Sequence, residues 1–272
     1  MSAVVATAPT LPSTTERTPR MRLARDTWLI FKRSLILTIR QPVWIIFGMM
    51  VPVLYLVLFG PLLEGAVSAA GTGTNAFNWF VPGLIVQIAI FGTAFGGFGL
   101  IAEMRAGVVE RMRVTPISRS AMLLGRSLRD VVILMAQATV MILLAIPFGL
   151  DVDLAGVLGV LGLLLLIGLS VAPLSYAGAL ILKSEDAFAP LINAIALPLL
   201  LLSGILLPMT FAPDWLEFLS SINPLTHAVD AARALFNGDY GNPDIALGVA
   251  ICSVLAVFAV WVGSRAFSRS VA

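Results

Sequence analysis

Six stretches of 19 to 29 residues without a single charged side chain dominate this 272-residue chain, over 42–62, 79–102, 131–150, 154–182, 188–211 and 245–263. About 20 apolar residues of helix cross the hydrocarbon of a bilayer. A soluble core has no room for six such segments. Composition agrees: 59% of residues are hydrophobic and 12% charged, against roughly 25% charged in ordinary soluble domains. The predicted fold class is an all-α integral membrane protein with six transmembrane helices.

Basic residues set the expected orientation. Seven precede the first span (Arg17, Arg20, Arg22, Arg25, Lys32, Arg33, Arg40) and six lie between the second and third (Arg105, Arg111, Arg113, Arg119, Arg126, Arg129). Lys183 lies between the fourth and fifth, and Arg265 and Arg269 follow the sixth. Six spans put all sixteen on one side and only Arg233 on the other. Basic loops stay cytoplasmic during insertion, so both termini are expected inside the cell, with the protein in a plasma membrane (the inner membrane of a bacterium). Residues 1–20 are rich in Ala, Thr, Ser and Pro, and their first basic residue, Arg17, comes after the apolar ones. They read as a disordered cytosolic tail rather than a signal peptide, and residues 21–272 as one transmembrane domain.

The connections carry more information than the spans. In Met21–Arg40, helical periodicity gathers Ala24, Trp28, Phe31, Leu35 and Ile39 on one face and Arg22, Asp26, Arg33 and Arg40 on another. That pattern predicts a helix lying in the inner interface with its apolar face in lipid. Glu103–Asp130 interleaves Glu103 and Glu110 with Val108, Val109, Met112 and Val114, turns at Thr115–Pro116, and offers Ser118 as a helix cap. Such mixing suits a surface that docks a partner. Between the last two spans, Asn223 followed by Pro224 is a good helix start, and two short helices are expected after a break at Ser203–Gly204. Residues 218–229 are uncharged, which fits either a helix dipping into the outer leaflet or an ordinary surface loop.

Catalytic chemistry is missing from the pattern. The nearest approach to a phosphate-binding loop, Gly178 to Ser184, lacks the glycine before Lys183 that would let backbone amides cradle a phosphate. His227 is the only histidine and Cys252 the only cysteine, so neither a metal site nor a disulfide is expected. None of the six stretches holds an ionisable group of the kind that proton- or sodium-driven carriers use. Their polar residues are neutral, and Gln87, Thr93, Asn193 and Ser203 are the candidates for lining a substrate path. Gly92 and Gly96 make a G-x-x-x-G pair suited to close helix packing.

Three segments then share a likeness. Leu202-Ser-Gly-Ile-Leu-Leu-Pro208, Pro213-Asp-Trp-Leu and Asn223-Pro-Leu-Thr-His-Ala-Val-Asp-Ala-Ala-Arg233 resemble the C-terminal hallmark of ABC-2 type transporter permeases. Glu103-Met-Arg-Ala-Gly107, Glu110-Arg-Met and Pro116-Ile-Ser-Arg119 look like that family's cytoplasmic stretch after span two. Asn223–Gly238 is most similar to the daunorubicin/doxorubicin-resistance branch. The resemblance implies a half-transporter that pairs with a second protomer, identical or paralogous. Separate nucleotide-binding subunits would hold ATP and magnesium, with no cofactor or enzymatic site in this chain. It implies coupling to the ATPase through Glu103, Arg105, Gly107, Glu110, Arg111, Pro116 and Arg119. The interfacial helix, with Arg25, Trp28, Phe31 and Arg33, would lie beside them. Pro208, Trp215, Asn223, Pro224, Asp230 and Arg233 would form an external cap, and the route would run between spans two and five. A hydrophobic drug, antibiotic or polyketide is the expected cargo, with a lipid or glycan precursor as the alternative. A membrane scaffold or secondary carrier outside the family is the other reading, against which the neutral spans count. Nucleic acid is not an expected partner.

The topology is open to direct test. With Cys252 replaced, single cysteines at Thr72 and Asn242 should react with an impermeant thiol reagent added outside intact cells, and one at Ser118 should not. Labelling of Ser118→Cys from outside would overturn the six-span arrangement.

Overall fold

A computed structural model describes residues 19–70, 75–113, 118–205, 209 and 212–270. The described residues are helical, without strands. The elements are α1 (Pro19–Ile39), α2 (Pro42–Ala70), α3 (Ala76–Ala94), α4 (Gly96–Arg105), α5 (Val108–Arg113), α6 (Arg119–Ala145), α7 (Leu154–Leu182), α8 (Glu185–Leu202), α9 (Asp214–Ile222), α10 (Pro224–Phe236) and α11 (Pro243–Ser270), with a single 3-10 turn after α6. Among the described residues, six helical segments are long and apolar enough to cross a membrane: Ile45–Gly65, Ala76–Arg105, Arg119–Phe148, Leu154–Leu182, Glu185–Leu202 and Pro243–Arg269. The tail at 1–18 and the Thr115–Pro116 turn lie outside the described residues.

Local chemistry sets the helix starts. Asn75 accepts hydrogen bonds from the amides of Phe77 and Asn78, Ser118 from Ala121, Asp153 from Gly156 and Asn223 from Leu225. Each satisfies amide donors that a helix N-terminus leaves without an intrahelical partner. Pro19, Pro42, Pro224 and Pro243 stand at first helical positions, where the missing N–H costs nothing. The helix of the second span is interrupted at Phe95, where α3 ends and α4 begins.

Packing radiates from α3, nearly all of whose residues are buried, among α2, α6, α7 and α10. One apolar core joins these helices; a smaller one at the basic end combines Ile30, Leu100, Ile101, Val109, Met122, Leu123, Tyr176, Leu180, Phe188 and Phe267. The remaining faces stay apolar and exposed: Ile46, Phe47, Met50 and Leu58 on α2, Ile195 and Leu201 on α8, and Val254, Val257 and Phe258 on α11. Helices that are apolar on faces the protein does not cover are what a hydrocarbon solvent requires.

The α1 helix packs along α6, with Thr27 and Ile30 against Gly125, Ser34 beside Arg126 and Arg129 and Thr38 bonded by Arg129; Ile30, Phe31 and Ser34 are buried. The predicted lipid-facing stripe is therefore divided. Phe31 turns to protein, and Ala24, Trp28 and Ile39 stay exposed, along with the charged groups of Arg25, Lys32 and Arg33. The apolar arc of α1 is wide enough to serve both purposes, which periodicity alone did not separate.

Gly125 is what lets α1 approach. A Cβ there would stand 2.7 Å from Cβ of Ile30 and 2.8 Å from the carbonyl oxygen of Thr27. Gly125→Leu should push the helices apart and cost about 1–3 kcal/mol, read as a lower melting temperature in detergent. An unchanged melting temperature would mean that α1 does not seat on α6.

Candidate functional site

At the basic end of the bundle, four ionisable groups and a tyrosine meet inside the protein. The helix carrying the third span starts at Arg119 rather than Val131, so Arg126, Arg129 and Asp130 ride its first turns. Arg126 and Asp130 have side chains only 4% and 6% exposed. Arg126 pairs with Glu103 of α4, and its guanidinium also lies over the Phe267 ring of α11. Arg129 is bonded at 2.6 Å to Asp130, donates at 2.8 Å to the Tyr176 hydroxyl of α7 and at 3.2 Å to Thr38 of α1. Tyr176 in turn donates to Asp130. Next to them Ser175 donates to the Ala94 carbonyl and accepts from the Gly97 amide.

The cluster holds two formal positive and two formal negative charges. That balance is what burial demands, since an uncompensated charge here would carry a heavy desolvation penalty. A cavity of about 50 Å³ opens among Ser34, Glu103, Arg126, Arg129 and Tyr176. Nε of Arg129 has no protein partner among the described residues, and the space exceeds the roughly 10–15 Å³ that a water requires. Through these contacts α1, α4, α6 and α7 are joined by charge-assisted hydrogen bonds.

The residues expected to couple are distributed around this cluster. Glu103 is in it. Arg105 makes an exposed ion pair with Glu185 of α8 at 3.1 Å, a contact worth under about 1 kcal/mol. Gly107, at φ +67°, sits in the two-residue turn between α4 and α5 in a conformation that favours glycine. Arg111 on α5 is exposed. Arg119 donates at 2.7 Å to the Ser268 carbonyl of α11, and the Ser118 amide donates to Asp26 of α1 at 3.4 Å. Pro116 and the side chain of Glu110 lie outside the described residues.

A second cluster of side chains closes the end of α8. A helix leaves its last carbonyls without intrahelical partners, and here the α9–α10 segment supplies them. Asn223 donates to Leu199 at 2.7 Å, Ser220 to Leu202 at 2.7 Å, and Thr226 to Leu202 at 3.2 Å. Arg233 donates to Gly204 at 2.7 Å and to Trp79 at 3.2 Å, lies 4.2 Å from the centre of the Trp79 ring, and pairs with Asp230. Burial lowers the Arg233 guanidinium to about 10 against the opposing pull of Asp230. Burial likewise raises the Asp230 carboxyl, which Arg233 opposes. Gly204 takes φ +70° where the helix ends. Pro224 opens α10, Trp215 on α9 is exposed, and Pro208 lies outside the described residues.

Of the neutral span residues, Thr93, Asn193 and Ser203 bond to carbonyls of their own helices. Thr93 and Ser203 are buried, and Asn193 is exposed on α8. Gln87 is buried in α3, and its Oε1 has no partner among the described residues. The structure does not bring these four together around one cavity. Sequence reasoning missed Arg126, Arg129, Asp130 and Tyr176. The signal was present for two of them: Arg126, Asp130, Leu134, Gln137 and Met141 share one helical register, and all five are buried.

Removing one member of this cluster leaves its partners buried and uncompensated. Arg126→Ala or Asp130→Ala should destabilise the purified protein by ~3–5 kcal/mol, measured by thermal unfolding in detergent. Arg105→Ala, which breaks an exposed pair, should change it by less than about 1 kcal/mol. Equal losses for all three would mean that burial does not separate these contacts.

Comparison with known proteins follows the same lines. The model of the ABC-2 type transporter family matches residues 25–237. The chain is 28% identical over 253 residues to the daunorubicin resistance ABC transporter permease protein DrrB1 of Streptomyces coeruleorubidus, covering 92% of this chain and 89% of that protein. It is 25% identical to the probable doxorubicin resistance ABC transporter permease protein DrrC of Mycobacterium tuberculosis, covering 92% of each. Identity to the putative transport permease ycf38 of Cyanophora paradoxa is 28%, over 78% of this chain and 74% of the relative. With most of its length matched and six membrane-length helices in its fold, this multi-pass membrane protein belongs to the ABC-2 type transporter family.

Proposed function

We propose that the chain is the permease subunit of an ATP-binding cassette exporter, driven by a separate nucleotide-binding subunit and paired with a second permease protomer. The proposed cargo is a hydrophobic drug or antibiotic, the class named for two of its relatives. The observation that carries the reading is the continuity between the α4–α5 turn and the spans. Glu103 stands two residues before Arg105, where α4 ends, and its pairing with Arg126 joins α4 to the cluster bound to α1 and α7. A push on α5 from an ATPase subunit would be delivered to three helices through charge-assisted bonds rather than through a slack loop. Family membership supplies the ATPase as the source of that push.

In this reading the chain itself does no chemistry. It offers a docking surface at the basic end, a route bounded by helices that are apolar beyond the buried charge cluster, and a closed cap where α9 and α10 hold the end of α8. Apolar helix faces, with the charges of the cluster paired among themselves, suit an amphiphilic, hydrophobic cargo.

The test is reconstitution. The purified chain should neither bind nor hydrolyse ATP alone, and vesicles holding it with its nucleotide-binding subunit should accumulate daunorubicin on adding MgATP. Glu110→Ala and Arg111→Ala should leave membrane insertion intact, since the remaining arginines keep the charge bias. If their contacts to the ATPase are desolvated, each should weaken assembly or coupled transport by ~2–5 kcal/mol. Stoichiometric ATP binding by the chain alone, or full assembly and transport with both residues replaced, would refute the corresponding part of the proposal.

A further inference from the structure

The outer side of the α1–α6 seam has its own chemistry. Leu23, Ala24, Thr27 and Trp28 of α1 and Leu124 and Leu128 of α6 line an open groove of about 370 Å³. Trp28 and Leu128 remain exposed at its rim. On a helix, residues three and four positions apart are neighbours, so Arg25 and Lys32 flank Trp28 one turn to either side. Both are exposed, and neither has an ion-pair partner among the described residues. The one carboxylate of α1, Asp26, points the other way, toward the Ser118 amide. An apolar slot with two uncompensated cations beside an aromatic rim is complementary to a molecule with a hydrocarbon chain and an anionic head.

We infer that this groove binds an anionic phospholipid, with an acyl chain lying along Leu124 and Leu128 and the headgroup phosphate between Arg25 and Lys32. Trp28 marks the boundary between the two, where amphipathic rings favour the interface. The same helix carries Thr38, which receives a bond from Arg129. A lipid seated here therefore steadies α1 against the side of α6 that holds the charged cluster.

The experiment uses the full chain in nanodiscs and needs neither the ATPase subunit nor a known orientation, because both leaflets have one composition. Nanodiscs of phosphatidylcholine containing a minor fraction of phosphatidylglycerol are dissolved in mild detergent, and retained lipid is counted by native mass spectrometry. Phosphatidylglycerol should be retained preferentially. The double substitution R25Q and K32Q should lower that preference by roughly five-fold for each charge removed, whereas R25K with K32R should keep it. Ala24→Phe, which fills the groove from an exposed position, should release the lipid, while the lipid-free variant melts at the temperature of the lipid-free wild type.

Equal retention of phosphatidylcholine and phosphatidylglycerol would overturn the proposal, as would wild-type preference in the R25Q and K32Q protein. Displacement of the lipid by inorganic phosphate would show an anion site without an acyl-chain component. Disulfide crosslinking of two copies through Trp28→Cys, with Cys252→Ala, would show that the groove is covered by a second chain instead. Each outcome is independent of whether the chain exports anything, so failure here leaves the proposed function standing, and the reverse.

Discussion

Charge compensation inside a low-dielectric setting is the constraint that organises this molecule. Arg126, Arg129, Glu103 and Asp130 are tolerable where they lie only because each has an opposite charge within contact, with Tyr176 and Thr38 taking remaining hydrogen-bonding capacity. Their positions therefore depend on one another, and through them so do the positions of α1, α4, α6 and α7. Along α6 the smaller core ends at Leu123, the larger begins at Leu134, and the charged residues lie in the interval. Apolar packing is tolerant of small slides between helices. Paired charges with directional hydrogen bonds are much less so, which makes this layer the part of the bundle with the most definite registry.

The other end solves a different problem by similar means. The C-terminal carbonyls of α8 fall in a region where water is scarce, and an unsatisfied carbonyl there costs several kcal/mol. Asn223, Ser220, Thr226 and Arg233 meet that need from a separate segment of chain. Arg233 adds a positive charge at a helix C-terminus, where the partial negative charge of the aligned peptides is favourable to it. The Asn223–Arg233 run is thus intelligible as a helix cap supplied by a separate segment, with side chains bonded to carbonyls some 20 to 30 residues earlier in the chain.

Much of this was legible from residues. The six spans, the two short helices after span five, the break at Ser203–Gly204 and the caps at Ser118 and Asn223 follow from charge-free length and from the chemistry of Ser, Asn, Pro and Gly. The buried cluster was not legible, because the third span was bounded by its first charged residue. A charge ends an apolar run in a sequence, but in a folded bundle a helix passes through it when a partner waits on another helix. Glu103 and Arg126 are 23 residues apart and Asp130 and Tyr176 are 46 apart, and no local pattern states that they meet. The stripe on α1 went astray for a related reason: its apolar arc is too broad for periodicity to say which part faces α6.

α8 itself is attached in an uneven way. Only Phe188, Ala196 and Leu200 of its residues are buried. Near its start Glu185 pairs with Arg105 and the Phe188 ring meets Phe98 edge-on at 5.0 Å; at its finish the carbonyls are gripped by α9 and α10. Between those attachments Leu191, Ile195 and Leu197 face outward. In mechanical terms α8 is a beam on two bearings. A torque applied near Arg105 at one bearing meets a mid-section in which Ala196 alone is buried, so little of α8's length resists its passage to the other bearing, where Arg233 holds Gly204.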